Sequence, residues 1–152
     1  MSAVTGSGAP RSYVAEVQVR WSDCDPAGVV YYPNYFTLVE SALLAFLEHR
    51  GTTWVALMRE LGLGFPRVEA HARYLGPASA SDRLLVEIRV AEIRSSGLRL
   101  AFAMSHPDGR GVADGEIAFV AVPHGPRAKA GAVELPSALV EIFRPISPRE
   151  PE

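Results

Sequence analysis

The chain reads as an α+β fold, an antiparallel sheet of about five strands curled around one long central helix. Three observations lead there. An alternating segment opens the chain, a stretch with helical spacing and little polar surface follows, and a series of alternating segments joined by short turns fills the second half. Residues 13–21 place Tyr13, Ala15, Val17, Val19 and Trp21 on one face and Glu16, Gln18 and Arg20 on the other, the pattern of a half-buried strand. Over residues 34–50 the spacing changes to Tyr35, Phe36, Val39, Ala42, Leu43, Phe46 and Leu47, with Leu38 and Leu44 widening the apolar arc. Polar residues keep only a narrow stripe of Thr37, Glu40, Ser41 and Glu48, so this helix has to be largely surrounded by protein. Gly51 is placed to end it.

A shorter helix is predicted over 53–61, with Gly62 and Gly64 marking the turn beyond it. The period then returns to two. Residues 65–75 read as a strand with Val68, Ala70, Ala72 and Tyr74 inward, and residues 83–94 as another with Leu84, Val86, Ile88 and Val90 inward. Leu98, Leu100, Phe102 and Met104 make a third. In the last strand, residues 117–122 are apolar on both faces, as in a central strand. The links Ser95-Ser96-Gly97 and Pro107-Asp108-Gly109-Arg110 are short enough for hairpins, so these strands should pair antiparallel. One open sheet around one helix leaves edges and an apolar flank uncovered, which predicts at least a dimer.

With 152 residues, 48% apolar and 21% charged, the chain can bury a real core. A single domain is expected over 12–146, between a flexible segment at 1–11 and a flexible tail at 147–152. The formal charge of −2 supplies no global field for nucleic acid or an anionic membrane, and no apolar run reaches membrane-spanning length. A single cysteine, Cys24, forms no internal disulfide, which fits a cytoplasmic protein.

The most unusual stretch is DCDPAGVVYYPNY, residues 23–35, with two carboxylates, a glycine, two prolines and three tyrosines ahead of the long helix. Pro33 suits a first helical turn, where its missing N–H costs nothing. The neighbouring N–H groups, near Tyr31 and Tyr32, then lie at the positive end of the helix dipole, where they can polarise a carbonyl. A carboxylate facing the same point serves as general base toward water or attacks the carbon itself. The competing role is structural: an aspartate ahead of proline and glycine commonly makes an Asx turn or caps a helix, and spacing alone favours that for both Asp23 and Asp25.

DCDPAGVVYYPNYF, opening a long helix after a strand, resembles the signature of the 4-hydroxybenzoyl-CoA thioesterase family of the hotdog fold, with the order of elements in agreement over residues 13–143. The resemblance implies an acyl-CoA substrate, no cofactor or metal, and a homodimer with active sites at its interface, often paired into a dimer of dimers. It implies that Asp25 is the nucleophile or general base and that the N–H of Tyr32 holds the thioester oxygen. It puts Glu40 near the acyl pocket, Trp54, Phe65, Pro66 and Arg67 along the substrate tunnel, and Arg94, Ser95 and Ser96 where the nucleotide phosphates are gripped. That last turn is less basic here than the family's best-known pattern, which leaves acyl carrier protein thioesters as an alternative substrate. A non-catalytic acyl-CoA-binding module is the third reading. Plainer roles stand beside each assignment: Glu40 as a solvated helix carboxylate, Trp54 as core, Arg94 as a surface charge.

Other chemistries find little support. Cys24 has no histidine near it in sequence, and a lone cysteine is usually a small buried apolar residue. His49, His71, His106 and His124 lack metal-ligand spacing, no G-x-S-x-G occurs, and Gly62-Leu63-Gly64 without a preceding strand is a turn.

Overall fold

The long helix turns one broad apolar face to the rest of the chain, and the sheet curves to meet it. In the computed structural model, which describes residues 11–125 and 131–148, this helix is α1, Asn34–His49. Tyr35, Leu38, Val39, Ala42, Leu43, Phe46 and Leu47 are buried along it. Gly51 follows at a positive φ, and the N–H groups of Gly51 and Thr52 donate to the carbonyls of Glu48 and Leu47, satisfying the last turn.

Five strands wrap α1: β1, Tyr13–Gln18; β3, Arg67–Tyr74; β4, Arg83–Ile93; β5, Gly97–Ser105; and β6, Gly111–Val120. Their order is β1-β4-β5-β6-β3, and every pairing is antiparallel. The inward set of β4 (Leu84, Val86, Ile88, Val90) and of β5 (Leu98, Leu100, Phe102, Met104) is buried as the alternation predicts. Each such side chain is worth about 1.5–3 kcal/mol of burial. This is the hotdog arrangement, with β1 and β3 left as edges. Helix α2, Trp54–Leu61, is capped by Thr53, whose hydroxyl accepts the Ala56 N–H at 3.1 Å. Two-residue strands β2, Leu63–Gly64, and β7, Val122–Pro123, pair beside it.

Several expectations need correction. The first strand stops at Gln18, and Trp21 lies in a single 3-10 turn, 83% exposed, because the chain leaves the sheet before reaching it. Thr37, Leu44 and Glu48 are exposed on α1, so within this chain the helix is covered on one broad face and is not surrounded as its sequence predicts. The supposed inward face of β3 is largely open: Val68 is 60% and Tyr74 46% exposed, because this edge strand carries a register shift between Arg67 and Glu69 and lies at the rim of the curl. The apolar stretch 117–122 divides between β6 and β7. A third helix, α3, Ser137–Phe143, escaped the sequence reading; it buries Leu139 and Phe143 against the core. Ser147, assigned to the tail, is buried and donates its hydroxyl to the Phe143 carbonyl at 2.9 Å, so the packed unit reaches past 146. Residues 1–10 and 149–152 of the two expected flexible ends lie outside the described residues.

Where β3 meets β6, Gly115 faces Ala72 so closely that an added Cβ would stand 1.9 Å from the His71 carbonyl oxygen. Backbone at that spot has no soft direction in which to yield. Gly115→Ala is expected to destabilise the protein by at least the ~1–3 kcal/mol typical of overpacking, read as a lower urea midpoint at unchanged slope.

Candidate functional site

Residues 23–31 fold back on themselves as a short hairpin ahead of α1. The Asp25 N–H donates to the Val29 carbonyl and the Gly28 N–H to the Asp25 carbonyl, both at 2.9 Å, while Cys24 and Val30 pair across the ladder. Gly28 takes φ +82°, which closes the turn at the position where a side chain would be strained. A second segment props the hairpin: Val30 N–H donates to the Ala78 carbonyl, and Val29 bridges Ser79.

The two aspartates have different occupations. Asp23 is structural, as expected: its Oδ2 accepts the Arg20 N–H at 2.7 Å and caps the 3-10 turn. Its carbonyl accepts both the Tyr31 N–H and the Asn34 Nδ2, each at 2.9 Å. Asp25 is half-buried, and its Oδ1 accepts the Ala27 N–H at 2.8 Å, the bond of an Asx turn. That bond orients the carboxylate, and Oδ2 has no partner among the described residues.

The two N–H groups expected at the helix start also differ. That of Tyr31 is taken by Asp23, and that of Tyr32 has no partner among the described residues. Pro33 is the N-cap of α1 and gives no side-chain cap bond, while the Asn34 N–H donates to the Tyr31 carbonyl at 2.8 Å and the Phe36 N–H to the Pro33 carbonyl at 3.2 Å. Asp25 and Tyr32 stand on opposite limbs of the hairpin, and no hydrogen bond joins them.

Tyr74, read only as an inward strand residue, and Asn34, read only as a helix start, are the two contributors to this end that the sequence left hidden. Tyr74 Oη donates to the Tyr32 carbonyl at 3.0 Å from 42 positions away. Its ring packs on Tyr35 at 5.1 Å and on Tyr32 at 6.4 Å. Burial pushes the Tyr35 hydroxyl above its ordinary pKa, with the Tyr74 hydroxyl adding to the effect. No local spacing announces a contact of that kind.

Four of the five residues assigned to substrate binding meet in one cluster. Arg67 grips Glu40 with both arms, Nε to Oε1 at 2.7 Å and Nη2 to Oε2 at 2.9 Å, and donates a third bond to the Phe65 carbonyl at 2.7 Å. Its guanidinium lies 4.9 Å from the Trp54 ring centroid, a cation–π contact. Trp54 in turn packs against Phe65, Phe119 and Phe143. The Trp54 Nε1 is buried with no hydrogen-bond partner among the described residues, at a cost of ~1–3 kcal/mol. Glu40 is therefore an ion-paired carboxylate, partly open to solvent. Pro66 is exposed beside the cluster.

The Arg94-Ser95-Ser96 turn sits elsewhere, at the β4–β5 hairpin. Arg94 Nη2 pairs with Glu92 at 2.9 Å, and the nearby Arg99 is shared among Glu69, Glu92 and Glu116. The hydrogen bonds from Arg99 to Glu69 and from Arg94 to Glu92 hold these carboxyls below their usual pKa, so they stay ionised. Two arginines against three glutamates offer a phosphate little attraction. Cys24 is half-buried, with Sγ 3.7 Å from the Arg20 carbonyl. A separate trough of about 600 Å³ crosses the outer face of the sheet, between Arg73, Glu87, Arg89 and Glu116 over Ala101 and Ala103. Among the described residues no cluster of His, Cys, Asp and Glu could hold a metal ion, and no helix is long and apolar enough to cross a membrane.

Residues 19–143 match the model of the thioesterase-like superfamily. The chain is 29% identical over 143 residues to the 4-hydroxybenzoyl-CoA thioesterase of Pseudomonas sp. (strain CBS-3), covering 87% of this chain and 97% of that protein. It is 32% identical over 95 residues to a 1,4-dihydroxy-2-naphthoyl-CoA hydrolase of Thermosynechococcus vestitus, covering 62% of this chain and 65% of that one. In three dimensions it is similar to a 4-hydroxybenzoyl-CoA thioesterase, crystallised as an aspartate-to-asparagine mutant with 4-hydroxybenzoyl-CoA. The TM-score is 0.75 at 27% identity, covering 88% of this chain and 99% of that one.

The bidentate pair between Glu40 and Arg67 is partly shielded, with 35% and 28% of the respective side chains exposed. A double-mutant cycle with Glu40→Gln and Arg67→Gln is expected to return a coupling energy of about 1 kcal/mol in urea unfolding, toward the upper end for a pair with this much solvent screening.

Proposed function

The chain belongs to the thioesterase-like superfamily, and from that premise we propose that it hydrolyses an aryl-CoA, 4-hydroxybenzoyl-CoA-like or related acyl thioester to the free acid and CoA. The observation that carries the reading is the pair of open groups at the mouth of α1: Asp25 Oδ2, oriented by the Ala27 N–H, and the Tyr32 N–H. In this scheme the thioester carbonyl sits between them. Its oxygen accepts the Tyr32 N–H and gains negative charge there as the carbon becomes tetrahedral. Asp25 either takes a proton from the attacking water and passes it to the departing sulfur, or attacks the carbon itself to give an acyl-aspartyl anhydride. Water then cleaves that anhydride, freeing Asp25 and supplying the proton for the thiolate. In both routes the carbon–sulfur bond breaks, the sulfur leaves as the thiol of CoA, and water supplies the acid's second oxygen. The scheme uses no metal or cofactor. We place it in the cytoplasm, where the unpaired Cys24 stays reduced.

The acyl group would run from Tyr32 along α1 toward the Glu40, Trp54, Phe65 and Arg67 cluster, with Pro66 at its rim. One protomer leaves this path open on the side of β3, whose Val68 and Tyr74 are exposed at an unpaired edge. A second copy of the chain pairing along β3 would cover that edge and wall the site, which makes the active unit a homodimer. Pairing of two such dimers is the further assembly that the family resemblance implies.

A second reading keeps the chemistry and changes the carrier. Because Arg94 is already neutralised by Glu92, the turn with Ser95 and Ser96 is a poor grip for the phosphates of CoA, and an acyl carrier protein would present the same thioester without needing it.

Asp25→Asn is nearly isosteric and removes only the charge. It is expected to lower kcat by about 10²- to 10⁴-fold in a thiol-release assay over aryl, phenylacetyl and aliphatic CoA esters, with fold and oligomer unchanged. A variant as fast as the wild type would remove Asp25 from the mechanism. Matched CoA and carrier-protein thioesters separate the two carriers by rate. For the assembly, Val68→Lys at the exposed edge is expected to shift the sedimentation coefficient from dimer to monomer, with unchanged secondary structure by circular dichroism and a melting temperature lowered by the loss of the subunit contact.

A further inference from the structure

We propose that Tyr74 is a positioning residue for this reaction, its hydroxyl fixing the Tyr32 peptide so that the Tyr32 N–H stays aimed at the substrate. The inference rests on the thioesterase reading above. The four backbone polar groups of Tyr31 and Tyr32 make the case. Tyr31 N–H donates to the Asp23 carbonyl at 2.9 Å, and the Tyr31 carbonyl accepts the Asn34 N–H at 2.8 Å. The Tyr32 carbonyl accepts Tyr74 Oη at 3.0 Å. The fourth group, the Tyr32 N–H, has no partner among the described residues. Three bonds thus hold the dipeptide and leave one donor open, which is the arrangement a preorganised oxyanion donor needs.

Of the three, only the Tyr74 bond comes from the sheet. Tyr74 ends β3 opposite Ala113, and the N–H groups of Leu75 and Gly76 both donate to the Val112 carbonyl, so its backbone is fixed. The Asp23 and Asn34 bonds stay within the segment that precedes and opens α1, and would travel with that segment if it shifted. The Val30–Ala78 bond also holds this segment to the chain beyond β3, but the Tyr74 hydroxyl is the bond from the strand edge that acts on the Tyr32 peptide itself, along the edge where we place the second subunit. Because Tyr32 is exposed, water replaces the lost bond readily, and the consequence falls on aim more than on stability.

Tyr74→Phe isolates the hydroxyl, since the ring contacts with Tyr35 and Tyr32 survive; Tyr74→Leu removes both. For Tyr74→Phe the expected result is a kcat lowered about tenfold with KM within about twofold, and a backbone ¹⁵N order parameter at Tyr32 falling from about 0.85 to below about 0.6. The melting temperature should stay at the wild-type value in Tyr74→Phe and fall only in Tyr74→Leu. An unchanged Tyr32 order parameter in Tyr74→Phe overturns the proposal whatever happens to the rate. A lowered order parameter with an unchanged kcat overturns the catalytic part of it. Should the wild-type protein release no thiol from any thioester, the functional reading fails by itself, and the Tyr32 order parameter alone then decides whether Tyr74 holds that peptide.

Discussion

Burial of α1 is the constraint on which the rest of the molecule depends. The buried residues of α1, from Tyr35 to Leu47, recur every three or four positions and cover about half of its circumference, an arc too wide for a flat sheet to reach at both margins. The five strands therefore curl, and a curl this tight needs short links, an irregular edge and close backbone approaches. The register shift in β3 and the bare approach of Gly115 to His71 are local costs of that curvature. What they secure is a helix whose start is fixed relative to the surrounding strands.

That fixed start is where the candidate groups gather. A hairpin closed at Gly28 orients the Asp25 carboxylate through one oxygen and leaves the other open. Asp23, by contrast, is spent on the Arg20 N–H and, through its carbonyl, on Tyr31 and Asn34. Adjacent carboxylates of the same type thus take up separate tasks, one holding the backbone and one facing outward. Farther along α1 the Glu40 and Arg67 pair lies over an aromatic floor of Trp54 and Phe119. The charges there neutralise each other within the chain.

Which parts were legible in advance follows from the range of the forces involved. The alternation in β4 and β5 is a local pattern and gave their buried faces residue by residue. The same reasoning misjudged β3, because alternation says only that one face is apolar, while its position at the rim decides what covers it. α3 has no strong period over its seven residues, and its burial comes from the aromatic cluster that receives Phe143. The grouping of Glu40, Trp54, Phe65 and Arg67 came from family resemblance, and the bonds that join them lie between residues far apart in the chain.

The sequence by itself determined the class of fold, the extent of the long helix and the stretch that carries the candidate chemistry, because each depends on periodicity and turn-forming residues within a few positions of one another. Tertiary structure decided which polar groups of that stretch remain open. Among the described residues Asp25 Oδ2 and the Tyr32 N–H have no partner, while Ala27, Asp23, Asn34 and, from the edge strand β3, Tyr74 engage the polar groups around them. A hydrogen bond between residues 32 and 74 exists only once β3 lies beside the start of α1, and no local rule of sequence specifies that meeting.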